Sequence, residues 1–304
     1  MRAPPYRWPD GKRSAVCFTA DVDAEAPYLW TSRAGLPQHL GLLEQRRFGP
    51  REGLWRILDM LDRLSIKGTF FTPSVVAELH PEILPALVER GHEVGLHGHL
   101  HEIVSETTRA EFEDALDRSL AIVEAQTKAR PAGFRSPAWE MTPGMIGALK
   151  DRGIAYDSSL SGYDHPYEID GLVEIPVQWQ IDDAIFFRFF GGGVDKWPPA
   201  RAADVGDAWI DEFEAGRAYG QLLMITIHPW ISGRAQRVAM LERVLGRVAA
   251  QDDVWIATAG EIARWHETSD NAGVYAVESG LEPLAEAIAR SPITTSSASG
   301  RTAR

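Results

Sequence analysis

Four short stretches of the chain carry the residue types that metal or hydrolytic chemistry needs. Asp21 and Asp23 stand two apart around Val22, and His97 and His101 stand four apart in a His-Gly-His-Leu-His run. Arg135 precedes Ser136-Pro137-Ala138-Trp139, and His228 lies in Ile227-His228-Pro229-Trp230. If a strand runs through Asp21 and Asp23, both carboxylates share one face, and a shared site raises one pKa unless a cation intervenes. That suits one metal ligand beside one general base, although a solvated strand end has the same composition. A turn of helix over 97–101 would set His97 and His101 on one side and His99 on another. Two histidines and a carboxylate form a three-ligand site with positions open for water and substrate, the form of catalytic rather than structural zinc. Arg135 could grip a carboxylate bidentately and keep a base ionised, or serve in a surface ion pair; Trp139 could wall a pocket. His228 follows an uninterrupted apolar run, so its imidazole must face an opening or find a buried partner. With an unperturbed pKa of about 6.5, it is suited to protonating a leaving group. Asp182 or Asp183 could orient Arg135 or His228.

These stretches need a frame. Seven apolar runs, at 14–21, 67–72, 92–98, 132–137, 172–177, 222–229 and 253–258, alternate with segments of helical period beginning at Gly53, Pro73, Ser105, Thr142, Ala203, Ala235 and Gly260. That alternation predicts an α/β fold of about seven parallel strands joined by crossover helices. Each candidate cluster then falls at the C-terminal end of a strand, where active sites of parallel α/β proteins assemble. Two connections are longer than the scaffold needs: 24–50, with Tyr28 and Trp30, and 181–202, with the aromatic run Phe186–Phe190 that includes Phe187. Long loops in compact domains tend to be functional, so Tyr28, Trp30 and Phe187 join Trp139 as candidate substrate contacts, although the run Phe186–Phe190 could be an apolar flap, an oligomer contact or a buried strand. Gly191–Gly193 lacks the helix and lysine of a phosphate loop and reads as a hinge or turn. The segmentation is an arm over 1–13, one domain over 14–268, and an extension over 269–304 whose Ser/Thr-rich end is expected to be disordered.

Lys plus Arg number 31 and Asp plus Glu 43 in 304 residues, so the formal charge is −12, the wrong sign for a phosphate backbone. Cys17 is the single cysteine, which rules out an internal disulfide and a cysteine zinc site. No stretch approaches the roughly 18 apolar residues of a membrane span, and the N-terminus has no apolar signal core. A soluble, cytoplasmic protein without nucleic-acid or membrane partners is expected.

Taken in order, Asp21-Val22-Asp23, His97-x-x-x-His101, Arg135-x-Pro137-x-Trp139 and Ile227-His228-Pro229 resemble the motifs of the polysaccharide deacetylase family, over roughly residues 14 to 265. The resemblance implies a distorted (β/α) barrel and the removal of an N-acetyl group from an amino sugar by metal-dependent hydrolysis of a non-peptide C–N bond. It implies that Asp23, His97 and His101 bind a divalent metal, zinc before others, that Asp21 is the base, Arg135 its positioning partner and His228 the acid. Most members carry two adjacent aspartates; Val22 separates them here. The Asp-x-Asp form, Trp139 and the stretch from Trp179 to Asp183 look more like the branch of intracellular peptidoglycan-deacetylase-like proteins and cyclic imide hydrolases, whose members tend to be tetramers. A homotetramer is therefore expected. A long open groove would favour glycans and an aromatic-lidded small cavity cyclic imides or other small amides. A non-haem iron oxygenase and a metal-free binding protein are the readings from other classes. The resemblance also implies an oxyanion held by a backbone N–H near Trp139.

Overall fold

The computed structural model describes residues 4–35, 39–191, 193–195, 197–280, 285–286 and 289–290. Its strands are β1 (Ser14–Asp21), β2 (Thr69–Thr72), β3 (Glu93–Leu96), β4 (Gly133–Phe134), β5 (Tyr156–Asp157), β6 (Tyr167–Ile169), β7 (Leu172–Glu174), β8 (Leu222–Ile227), β9 (Val254–Ile256) and β10 (Ala276–Val277). They form one curled sheet in the order β10-β6-β7-β5-β4-β3-β2-β1-β8, with β9 also on β1. Every pairing is parallel except that of β6 with β7. The ring is closed by irregular chain: Asp182 bridges Thr226, the Asp183 N–H donates to Thr226 O at 3.1 Å, and the Met224 N–H donates to the Gln178 side chain at 3.0 Å. The result is a distorted (β/α) barrel in which all seven expected strands occur. The short strands β5, β6 and β10 lacked a sequence signal because two or three residues show no period.

Strand parity decides which residues face the interior. Along β1, Val16, Phe18 and Ala20 pack into the outer core beneath the helices, while Ala15 and Cys17 pack inward with Phe71, Tyr156 and Met224. Successive side chains alternate faces, so Thr19 and Asp21 follow Cys17 inward. The same rule continues Met224 and Thr226 to His228, Gly95 to His97, and Gly133 to Arg135. Gly95 and Gly133 are obligatory, because a Cβ would lie 2.5 Å from the Phe71 ring and 2.0 Å from that of Tyr156.

Outside the sheet, Leu54–Leu64 buries Leu54, Ile57, Leu58, Met60 and Leu61 along one stripe. The helix expected from Ser105 begins at Arg109, where Thr108 and Glu111 form a capping box; Thr258 and Glu261 do the same for Ala259–Thr268. The expected loop over 24–50 contains the helices Ala26–Thr31 and Leu40–Phe48. The latter buries no residue, so it carries no amphipathic stripe to announce it. In the N-terminal arm Trp8 is buried and its indole N–H donates to Gly220 O at 2.8 Å. The extension contributes β10, and the Ser/Thr-rich end lies outside the described residues. Among those described, no helix is long and apolar enough to cross a membrane.

Replacing Gly133 by alanine drives a methyl group into a rigid ring that also donates to Glu93 at 2.9 Å. Denaturant unfolding is expected to show a loss of about 1–3 kcal/mol or more; a variant as stable as the parent would show slack in the barrel interior.

Candidate active site

Asp21, Asp23, His97, His101, Trp139, Asp182 and His228 line one cavity of about 340 Å³ at the C-terminal end of the barrel, together with Trp30, Arg46, Ala138, Trp179, Arg188 and Trp230. At its floor, Nε2 of His97 lies 3.5 Å and Nε2 of His101 3.7 Å from Oδ1 of Asp23. The helical turn expected over 97–101 does not form. Instead Gly98 and His101 take left-handed backbone, with φ of 72° and 62°, and set the two imidazole rings 5.1 Å apart and nearly perpendicular. A Cβ on Gly98 would meet Glu102 Oε2 at 2.4 Å, and that carboxylate accepts the N–H groups of His99 and Leu100 at 2.9 and 2.8 Å. The loop also docks on the start of the helix Ser74–Leu79, whose Ser74 and Val75 N–H groups donate to Gly98 O and His99 O. His99 points away and pairs with the Ser74 hydroxyl at 2.7 Å.

Hydrogen-bond bookkeeping tests whether these residues suit a cation. Nδ1 of His97 lies 2.7 Å from Arg135 O, which can only accept, so the ring proton sits on Nδ1 and a neutral His97 turns the Nε2 lone pair toward Asp23. Among the described residues, Oδ1 of Asp23 and Nδ1 of His101 are buried without a hydrogen-bond partner. Burial opposes the charge on Asp23, yet His101, His97 and His228 hold its carboxyl well below the usual range; burial, only partly offset by Asp23, pushes His101 down to about 4. An ionised carboxylate facing imidazole lone pairs is repulsive unless a positive charge lies between them, so the three residues fit a divalent metal.

The second aspartate has a different owner. Arg135 is fully buried and donates through Nη1 to Asp21 Oδ1 at 2.8 Å and Thr19 Oγ1 at 2.9 Å, through Nε to Ser158 O at 2.9 Å and through Nη2 to Ser158 Oγ at 2.9 Å. Its grip on Asp21 is therefore single rather than bidentate, because its other bonds go to Thr19 and Ser158. Below Ser158, the buried carboxyls of Asp157 and Glu174 are close enough to share a proton. Burial pushes Asp157 up to about 6, and burial with the charge of Asp157 lifts Glu174 well above its usual range. Ser159 links this pair to the Arg135 loop, donating to Asp157 and accepting from the Ser136 N–H at 2.8 Å.

At the opposite wall, Nδ1 of His228 lies 2.7 Å from Asp183 Oδ1 and the His228 N–H donates to Asp183 Oδ2 at 2.9 Å, so Nε2 is left facing the cavity, 3.9 Å from Asp23 Oδ2. Burial disfavours the charged ring, but Asp183, Asp23 and Asp182 prevail and raise its pKa to about 10. Asp183 thus orients His228, while Asp182 sits 3.7 Å from the same nitrogen.

The aromatic residues divide. Trp30 and Trp139 line the cavity; Tyr28 lines an adjoining groove with Leu40, Leu42 and Phe190. Phe187 corrects the sequence expectation: it is buried in the outer core, under the Arg237 guanidinium at 4.5 Å, because the short helix Ala184–Phe187 turns its last residue inward. The Trp139 N–H is committed to Ser136 O at 3.0 Å, whereas Ala138 lines the cavity. Sequence reasoning missed Arg46, whose Nη1 lies 3.4 Å from Asp23 Oδ2. It sits in an unannounced helix with nothing to distinguish it from its neighbour Arg47.

Comparison with known proteins bears on the same residues. The family model for polysaccharide deacetylase matches residues 48–156, a span containing His97, His101 and Arg135. The peptidoglycan deacetylase of Helicobacter pylori is 28% identical over 284 residues, covering 83% of this chain and 96% of its own. A solved structure from Mycobacterium smegmatis, named provisionally as a polysaccharide deacetylase, is 38% identical, covers 87% of this chain and 93% of its own, and superposes with a TM-score of 0.82. The Puue allantoinase structure is 23% identical, covers 87% of this chain and 94% of its own, and superposes with a TM-score of 0.76, a likeness of fold.

The carboxyl pair makes a pH prediction. A carboxyl with a raised folded pKa keeps a proton that the unfolded chain has released, so its stabilisation is full below the unfolded value of about 4 and is lost as pH rises through the folded one. With Asp157 at about 6 and Glu174 higher, Glu174→Gln is expected to gain stability relative to the parent as pH rises from about 5 to 8. Urea midpoints that keep a constant difference across that range would exclude a shared proton.

Proposed function

The chain belongs to the polysaccharide deacetylase family, and on that premise we propose that it is a metal-dependent hydrolase of non-peptide amide C–N bonds, with N-acetyl amino sugars as the leading substrates. The observation that carries this reading is the unpartnered, buried Oδ1 of Asp23 set among the nitrogens of His97 and His101. In this reading those three residues hold a divalent metal, and zinc suits the imidazole and carboxylate donors best. Bound there, it supplies Lewis-acid polarisation of the amide carbonyl and acidifies water.

The chain's own groups supply the rest. Asp21, fixed from one side by Arg135, accepts the proton of the attacking water. The oxyanion donor is expected from a backbone N–H near Trp139; the N–H of Trp139 itself is bonded to Ser136 O, and Ala138, one residue earlier and on the cavity wall, provides it in this reading. His228 delivers the proton on Nε2 to the departing nitrogen, a poor leaving group until protonated. Asp183 holds the other ring nitrogen and favours the charged ring that an acid must start from.

A second reading, a cyclic imide or other small amide, draws support from the walls. About 340 Å³ bounded by Trp30, Trp139, Trp179 and Trp230 is near the small end of ligand pockets. The curled parallel sheet argues against the iron oxygenase alternative, whose usual scaffold is an antiparallel double-sheet barrel. A cytoplasmic homotetramer remains part of the proposal, on the likeness of Asp21-Val22-Asp23 to the intracellular branch.

Protein purified without chelator is expected to carry about one metal per chain and to turn over one member of a panel of chitooligosaccharides, hydantoin, succinimide and simple amides; stripped protein without activity in any metal would leave a binding role. Asp21→Asn is expected to abolish turnover with metal content unchanged, and retained activity would remove Asp21 as the base. For His228→Ala, kcat is expected to fall by about 100-fold or more with metal retained; a rate near the parent's would take His228 out of the reaction.

A further inference from the structure

Two guanidinium groups outside the assigned roles face the same cavity. Arg46 lies on the helix Leu40–Phe48, and Arg188 directly follows the helix Ala184–Phe187. Arg46 is held in place: its guanidinium carbon is 4.2 Å from the centroid of the Trp230 ring and 5.9 Å from that of Phe190, and its side chain is only 13% exposed. Its hydrogen bonding among the described residues consists of one long contact, 3.4 Å from Nη1 to Asp23 Oδ2. Arg188 is exposed, rests 5.7 Å from the Phe190 ring, and has no carboxylate within 4.0 Å among the described residues. Arg46 also feels Arg188: burial pulls its pKa down, Asp23 raises it and Arg188 lowers it again.

A guanidinium does not escape this position by losing its proton, so its charge must be balanced where it stands. Asp23 balances it poorly. The contact is long and single, and the other carboxylate oxygen is turned to the histidines. A divalent metal on Asp23 would add positive charge to the same corner, leaving the desolvated Arg46 without a sufficient anion and the solvated guanidinium of Arg188 beside it. The remaining carboxylates on the cavity lining do not reach them: Asp21 is bonded to Arg135, and Asp182 accepts from the Ala184 N–H at 3.1 Å and neighbours His228. Stacking on Trp230 leaves the guanidinium edge, where its donors lie, open to a planar anion.

We propose that the substrate is an acidic N-acyl compound whose carboxylate is held between Arg46 and Arg188 while its amide group lies over Asp21, Asp23 and His228. This specificity rests on the amide-hydrolase reading above. An N-acetyl amino sugar with a carboxylate-bearing ether and an N-acyl amino acid both offer that chemistry.

The test uses the metal-loaded enzyme and substrate pairs that differ in charge: N-acetylglucosamine against its 3-O-lactyl ether, and N-acetyl amino acids against their primary amides. The acid of at least one pair is expected to show a kcat/KM higher by about tenfold or more, the worth of one charge-assisted hydrogen bond. Whichever pair shows it separates the two sources. Arg46→Gln also removes the Trp230 stack and the Asp23 contact, so Arg188→Gln at its exposed position carries the decision. It is expected to cut the acid-to-neutral ratio about tenfold through KM rather than kcat. Titration calorimetry of the same pairs on metal-loaded Asp21→Asn protein, with and without Arg188→Gln, reads binding without turnover. A carboxylate that simply ligated the metal would be indifferent to Arg188→Gln and would overturn the proposal. So would neutral substrates turned over as well as acids, which would leave the hydrolase reading intact. Failure of every pair by loaded enzyme that turns over another member of the panel above would overturn this specificity alone, whereas failure of the pairs and of the whole panel would remove the hydrolase reading and this specificity with it.

Discussion

A carboxylate buried to 5% exposure, with two imidazoles pressed to one of its oxygens, is the constraint to which the rest of this molecule answers. Left alone, Asp23 would regain water or take a proton, since desolvating an ion costs several kcal/mol even after relaxation. The surrounding chain fixes the donors around it independently. The Arg135 carbonyl commits the proton of His97 to the far nitrogen, and Glu102 cinches the loop that carries His101. The arrangement is held by hydrogen bonds and left-handed turns of the chain itself. That is the preorganisation a metal enzyme needs.

Separation of the two aspartates follows from the same geometry. Asp21 is the last residue of β1 and faces inward by parity; Val22, 1% exposed, packs into the outer core; Asp23 turns back into the cavity beyond the strand. The intervening valine thus lets both carboxylates enter one site while an apolar residue pins the chain between them. Arg135 takes one and the histidines take the other, so the two carboxylates enter one site with separate partners. Breaking a buried pair such as Arg135 with Asp21 typically costs about 3–5 kcal/mol, which makes the arginine a structural member as much as a positioning one.

Much of this was legible because the chemistry sits where the sheet must end. Long apolar runs such as 14–21 and 222–229 announce their strands, and polar residues immediately after them have few places to go except the rim. What stayed hidden was short or irregular. The left-handed turn at His101 depends on Gly98 and Glu102 meeting in space, which a His-x-x-x-His spacing reads as helix. Arg46 is brought to Asp23 by a helix with no buried residue, and the inward turn of Phe187 depends on one short helix rather than on composition. Ring closure through Gln178 and Asp182 uses side chains and single bridges, for which periodicity has no signal.

The mouth of the cavity bears on the size of what enters. Trp30 donates to Glu106 at 3.2 Å, Arg33 pairs with the same carboxylate at 2.8 Å, and the guanidinium lies 3.9 Å over the Trp30 ring. This strap joins the helix Ala26–Thr31 to the segment after His101, and its Trp30 lines the cavity. Its ion pair is 45% and 50% exposed, however, and such pairs contribute about 0–1 kcal/mol, so the strap can open at little cost. Trp139 and Trp230, by contrast, are buried to 9% and 6% exposure. Moving those rings would cost core packing, whereas moving the strap costs one solvated contact. Selection by size therefore belongs to the walls.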